Sequence, residues 1–96
     1  MTDAIDAESF TPHVGGAVSL SNGHRLTLVA VDRHKSHRPD AAPGDAFSLL
    51  LRGAPAPIVP EGIHRLTLED GASFEFYLIP IHTPSRDHQD YQIVVN

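Results

Sequence analysis

Histidine is the residue type in this chain that most readily suggests chemistry, since seven histidines occur in 96 residues without a single cysteine. His34 and His37 lie in one polar stretch, and His82 and His88 lie in another. Imidazoles near carboxylates bind zinc or nickel, so these four side chains form a candidate metal site. The same generic spacing is also typical of solvated loop histidines without a bound metal.

Other catalytic patterns are missing from the sequence. A cysteine nucleophile and a G-x-S-x-G motif are absent, and Ser19, Ser48 and Ser73 have no base beside them in the sequence. Gly15 and Gly16 are not followed by a helix start, so they do not indicate a phosphate-binding loop. We therefore expect a protein that is not an enzyme and that needs no cofactor, with the metal site as the alternative.

Composition narrows the class of partner. The 96 residues suffice for one domain, and seven basic against twelve acidic residues give a formal charge of −5. This charge repels phosphate backbones and anionic lipids, so nucleic acid and membrane surfaces are not expected partners.

The first ten residues lack the basic and apolar regions of a Sec signal, and no apolar run reaches the ~20 residues of a membrane span. We expect a soluble protein, cytoplasmic as synthesised.

Alternating apolar residues predict the elements that must position any site. Residues 63–81 contain two alternating segments around Asp70 and Gly71, which is typical of a β-hairpin. Asn22 and Gly23 predict a second hairpin through a type I′ turn, joining strands over residues 17–20 and 25–32.

Two further strands are predicted over residues 46–52 and 91–96. Residues 57–62 predict an extended connector whose prolines suit an edge or polyproline segment. The acidic N-terminal segment, residues 1–9, predicts a short helix that docks Ile5 and leads into Phe10. The expected fold is all-β, a small antiparallel barrel or sandwich of about six strands. It forms a single domain whose β core spans residues 10–96.

The segment H-R-L-T-L occurs twice, at residues 24–28 and 64–68. One interpretation is a duplicated two-stranded unit. The other is that two amphipathic strands share common β-sheet residues by chance, which the different flanking spacings favour.

The better candidates for interaction are residues 57–60 and the apolar last strand, residues 91–96. The last strand can close its own barrel, which we favour, or it can pair with another polypeptide, since unpaired strand edges recruit strands. The long loop at residues 33–45 adds basic side chains. The candidate partner-binding residues are Tyr91, Ile93, Val94, Val95, Arg33 and Arg38.

Several short motifs resemble a family of short bacterial all-β domains of unknown function. They are F-T-P-H-V-G at residues 10–15, F-S-L-L-L-R-G at 47–53, P-x-G-I-H-R-L at 60–66, F-Y-L-I-P at 76–80 and Y-x-x-x-V-N at the end. The resemblance implies an accessory or assembly role beside secreted or phage-tail-collar-like proteins, and it brings no catalytic residues.

The expected function is a non-enzymatic binding or assembly module. It acts through a sheet edge and the loop at residues 33–45, on a protein partner or by self-association. The alternative is a small metal- or ligand-binding protein, with catalysis left open, that uses the four histidines.

Overall fold

The computed structural model describes residues 7–33 and 46–95, which form a closed antiparallel barrel. Around the barrel the strands follow the order β1, β2, β3, β6, β5, β4, so two three-stranded meanders close on each other. The predicted all-β fold is confirmed. Of the two expected architectures, barrel and sandwich, the structure is the barrel. The strands are β1 (Ala17–Leu20), β2 (Arg25–Arg33), β3 (Phe47–Gly53), β4 (Gly62–Thr67), β5 (Ser73–Pro80) and β6 (Gln89–Val95).

Each predicted strand coincides with an observed one to within a few residues. The alternation is the reason, because every second side chain of a strand points to the same face. In β2, Leu26 and Leu28 are buried while Arg25 and Thr27 are exposed. A bulge after Leu28 shifts the register against β3 and ends this strict alternation.

The β1–β2 hairpin forms as predicted, but the predicted type I′ turn is wrong. Gly23 has a φ of 90°, whereas Asn22 is not in the positive-φ region that type I′ needs at both positions. The Gly23 N–H donates to the Leu20 carbonyl at 3.0 Å, and the Leu20 N–H donates to the His24 carbonyl at 2.8 Å. The loop therefore has three residues, and Asn22 stabilises it by accepting the His24 N–H through Oδ1.

The β4–β5 turn has the same geometry. Gly71 has a φ of 91°, its N–H donates to the Leu68 carbonyl at 3.0 Å, and the Leu68 N–H donates to the Ala72 carbonyl at 2.8 Å. Asp70 accepts the Ala72 N–H through Oδ1, the role that Asn22 has in the first turn. The β1–β2 and β4–β5 hairpins are therefore equivalent units of the barrel.

The strand order of the barrel has a twofold symmetry in its connectivity, and this symmetry relates the two hairpins. Ser19 and Thr67 each precede the leucine that begins a turn, and they pair with each other where β1 meets β4. The repeated segments at residues 24–28 and 64–68 belong to the β2 and β4 regions, which are not equivalent under this relation but flank β1 on its two sides. The repeated letters thus do not mark the symmetry.

Phe10 closes one end of the barrel. It lies between two single-turn 3-10 helices, Ala7–Ser9 and Thr11–His13, and its ring centroid is 5.0–5.8 Å from those of Phe47, Phe74 and Phe76. This cluster contains every phenylalanine of the chain. The predicted helix over residues 1–9 and the docking of Ile5 fall largely outside the described residues. In the described part, the helices are too short to cross a membrane.

Candidate strand-docking edge

The junction of β5 with β6 is one of the two shortest strand pairings in the barrel, the other being that of β1 with β4. Strands β5 and β6 pair only at Ile79 with Gln92 and at Pro80 with Tyr91. By contrast, β6 pairs with β3 at seven positions and β5 pairs with β4 at six. We define the β5–β6 seam as residues 73–78 of β5 and residues 93–95 of β6, where the two strands are not paired with each other. In the described ranges, no strand pairs with residues 73–78 on the seam side.

The hydrogen-bond phase of β5 shows which backbone groups face the seam. Successive residues of an antiparallel strand bond alternately to one neighbour and to the other. The bond from Leu68 N–H to the Ala72 carbonyl sets this phase, so alternate residues from Phe74 onward bond to β4. The N–H and carbonyl groups of Ser73, Glu75 and Tyr77 therefore point into the seam.

Side-chain burial shows the same separation of the strands. The inward-facing Leu78 and Ile93 are fully buried, at 0% exposure, close to the point where β5 and β6 pair. Farther along the seam, Phe74, Phe76 and Val95 also pack on the core but are only partly buried. The seam thus exposes part of the aromatic cluster that closes this end of the barrel.

Three exposed apolar side chains lie in one row across the outer surface of the seam. Ile63 is 72% exposed and pairs with Tyr77, which is 48% exposed. Extending the β5–β6 register by two residues places Tyr77 opposite Val94, which is 46% exposed. We call Ile63, Tyr77 and Val94 the outer apolar row. Such a row beside unpaired backbone is typical of an interaction surface.

The position of Tyr77 is fixed by a second contact. Its hydroxyl donates a hydrogen bond to the carboxylate of Glu61, in the connector before β4. This bond favours the protonated phenol and raises the pKa of Tyr77 above its ordinary value. The ring is thereby held on the outer surface.

Glu75 is the charged residue in the middle of the exposed edge. Arg65 lies directly opposite on β4, but its guanidinium donates to the Ser73 hydroxyl at 3.1 Å. Among the described residues, Glu75 makes no ion pair. Its carboxylate is therefore open to a charged group from outside the domain.

The predicted partner-binding residues separate into distinct environments. Tyr91 and Ile93 are core residues, at 1% and 0% exposure. Val94 and Val95 border the seam, the first exposed and the second partly buried. Arg33 is exposed and forms an ion pair with Glu8.

Arg38 lies outside the described residues. The sequence argument predicted β5 as a strand but not as the exposed edge, because its alternation resembles that of any half-buried strand.

The predicted metal ligands are described only in part, since His34 and His37 lie outside the described residues. His82 is exposed. In His88, Nδ1 lies 3.3 Å from the Ser85 hydroxyl and Nε2 lies 3.6 Å from the nearer Asp90 oxygen. Over residues 7–33 and 46–95, no group of three or more histidine, aspartate or glutamate side chains could hold a metal ion. The four-histidine site stays a prediction.

Ser85, His88 and Asp90 together resemble a nucleophile, base and carboxylate, but Asp90 is engaged elsewhere. Its two oxygens accept hydrogen bonds from Arg52 at 2.8 and 3.3 Å, which lower the pKa of Asp90. The 3.6 Å separation from His88 is longer than a hydrogen bond. We assign this group to stabilisation of the loop before β6.

Comparison with known proteins identifies a family without a known function. No curated protein and no solved structure matches the chain. One family model does match, over residues 5–95, and therefore over nearly the whole chain. The chain belongs to the family described as a domain of unknown function, DUF6916.

Proposed function

We propose that this domain is a non-enzymatic binding or assembly module whose protein partner adds an extended strand to β5 at the β5–β6 seam. The observation that carries the proposal is the short pairing of these strands, two positions out of the eight residues of β5. Unpaired N–H and carbonyl groups along a strand are a template for another strand. The backbone of Ser73, Glu75 and Tyr77 provides that template.

The side chains around the seam support the same function. Phe74 and Phe76 are only partly buried, so an added strand could cover them and gain apolar burial. The outer apolar row, with Tyr77 and Val94 on opposite sides of the seam, offers further apolar contact.

Two other predicted partner-binding residues lie near this region. Arg33 pairs with Phe47, and Phe47 pairs with Val95, so Arg33 lies two strands away from the end of β6 in the same cross-strand row. We include Arg33 and Val95 in the proposed interaction region.

The nature of the partner follows from the family resemblance and remains part of the proposal. A bacterial origin and a secreted or phage-tail-like partner are implied by that resemblance. The formal charge of −5 supports a protein partner over nucleic acid or an anionic membrane, because like charges repel.

Hydrogen exchange with a strand-forming peptide tests this function. The probe is an eight-residue peptide of alternating valine and threonine with one central lysine. In the free domain we expect fast exchange at the amides of Ser73, Glu75 and Tyr77 and slow exchange at Phe74 and Phe76, which bond to β4. Saturating peptide should slow the three seam amides.

A backbone variant supplies the control. Glu75→Pro removes an N–H that points into the seam while leaving the β4 ladder intact, and Glu75→Gln keeps that N–H. The proline variant should fold but lose peptide binding, and the glutamine variant should still protect the seam amides. Peptide binding that leaves these amides unprotected, or that survives in Glu75→Pro, would show that the edge is not the docking site.

A further inference from the structure

We infer that the docked strand comes from a different polypeptide and carries a basic side chain opposite Glu75, between apolar side chains. This inference rests on the proposed function and specifies the chemistry of the partner at the same edge. It follows from the charge at the centre of the edge and from the apolar surfaces on both sides of that charge.

Glu75 determines the central position. It is exposed, its backbone points into the seam, and Arg65 on the neighbouring strand bonds to Ser73 instead. A residue directly opposite on an added antiparallel strand would have its Cβ about 5 Å from that of Glu75. Opposite charges at this spacing stabilise the pair, and like charges destabilise it. A lysine or arginine is therefore favoured there.

On the partner strand, the positions that flank the basic residue are expected to be apolar for two separate reasons. The partner residue opposite Tyr77 points outward, where it meets the outer apolar row. The residues opposite Phe74 and Phe76 point inward, against partly buried aromatic rings. Along an antiparallel partner, the expected order is apolar, apolar, basic, apolar.

A second copy of this chain is disfavoured at the edge. Two β5 edges that pair antiparallel around their centre would place one Glu75 opposite the other. A charged residue on an edge strand is a common protection against such pairing. The formal charge of −5 on each copy adds repulsion at longer range and instead favours approach of a basic segment.

A charge-reversal experiment tests this chemistry. Two eight-residue peptides, identical except for lysine or glutamate at the central position, are titrated into the full chain and into Glu75→Lys by calorimetry at low salt. The wild-type domain should bind the lysine peptide at least about threefold more tightly, and Glu75→Lys should reverse the preference. Added salt should reduce both preferences.

The outcomes separate this inference from the proposed function. Equal binding of the two peptides with protected seam amides would leave strand docking intact and overturn the charge assignment. A preference for the lysine peptide that persists in Glu75→Lys would also overturn it, because the charge would then act elsewhere. A wild-type dimer in sedimentation, with protected amides at Ser73, Glu75 and Tyr77, would make a second copy the occupant and overturn it as well.

Discussion

The Tyr91 hydroxyl accepts a 2.9 Å hydrogen bond from the backbone N–H of Val59, joining β6 to the connector before β4. Both residues are 1% exposed, so no solvent can replace this acceptor. Val59 is fixed in the core by this bond although its connector contains no regular structure.

Removing this hydroxyl should destabilise the protein. Tyr91→Phe leaves the Val59 N–H buried and without a partner, which costs about 1–3 kcal/mol. Tyr77→Phe is the matched control, because the Tyr77 hydroxyl is bound to Glu61 at the exposed surface, where loss costs less. Urea unfolding of both variants measures the difference. Equal losses would mean that the Val59 contact contributes nothing beyond a surface bond.

Phe10 should contribute more to stability than its place in a short N-terminal segment suggests. Phe10→Ala removes a ring that contacts three other phenylalanine rings and opens a cavity, with an expected cost of about 3–5 kcal/mol. Val14→Ala, at an exposed position of the same segment, should change stability by less than about 1 kcal/mol. Thermal unfolding of both variants provides the measurement. A small loss for Phe10→Ala would contradict closure of the barrel end by this ring.

The Arg52–Asp90 pair should make stability depend on pH in the acid range. The pKa of Asp90 is lowered in the folded state, first by the hydrogen bonds from Arg52. Its contribution is therefore complete above the unfolded pKa of about 4 and is lost as the pH falls through the lower folded value. Asp90→Asn should remove this contribution, so its unfolding midpoint should fall less than that of the wild type between neutral pH and about pH 3.

Asp87→Asn is the control for that comparison, because Asp87 lies in the loop just before β6 and its side chain makes no ion pair with a described residue. It should retain the wild-type pH dependence. Identical acid profiles for Asp90→Asn and the wild type would exclude Asp90 as a source of that dependence.

The two equivalent turns should respond alike to substitution. Gly23→Ala and Gly71→Ala force a side chain into a φ near 90°, and each should cost about 1–2 kcal/mol. Gly23→Asn and Gly71→Asn should cost less, since asparagine tolerates this region better than alanine. Chemical denaturation of the four variants tests the equivalence. A large effect at one turn and none at the other would show that only one of them governs its hairpin.

Chelation separates the metal alternative from the binding module. We expect EDTA to leave the thermal midpoint unchanged, because His82 and His88 do not converge with a third ligand among the described residues. A midpoint that falls with EDTA, recovers with zinc and becomes insensitive to EDTA in His88→Ala would instead support the four-histidine site.

The strands and their inward faces follow from the sequence because alternation is a local property. Leu26 and Leu28 alternate with Arg25 and Thr27, and any sheet that buries one face of this segment must bury the leucines. Turn positions were also readable, since Gly23 and Gly71 mark them. The turn type could not be predicted from the sequence, because the conformation of Asn22 depends on how the two strands meet.

Tertiary structure alone decided which strand carries the exposed edge. Alternation shows which face a strand buries and not which strand lies beside it. The apolar residues 91–96 therefore left two interpretations, closure of the barrel, which we favoured, and an edge at β6. In the barrel, β6 pairs along its whole length with β3. The pairing of β5 with β6 ends at Ile79 and Gln92, so residues 73–78 of β5 are not paired with β6. That separation depends on contacts between residues distant in the chain, which no local pattern encodes. It leaves Ser73, Glu75 and Tyr77, rather than Tyr91 and Ile93, available to a partner.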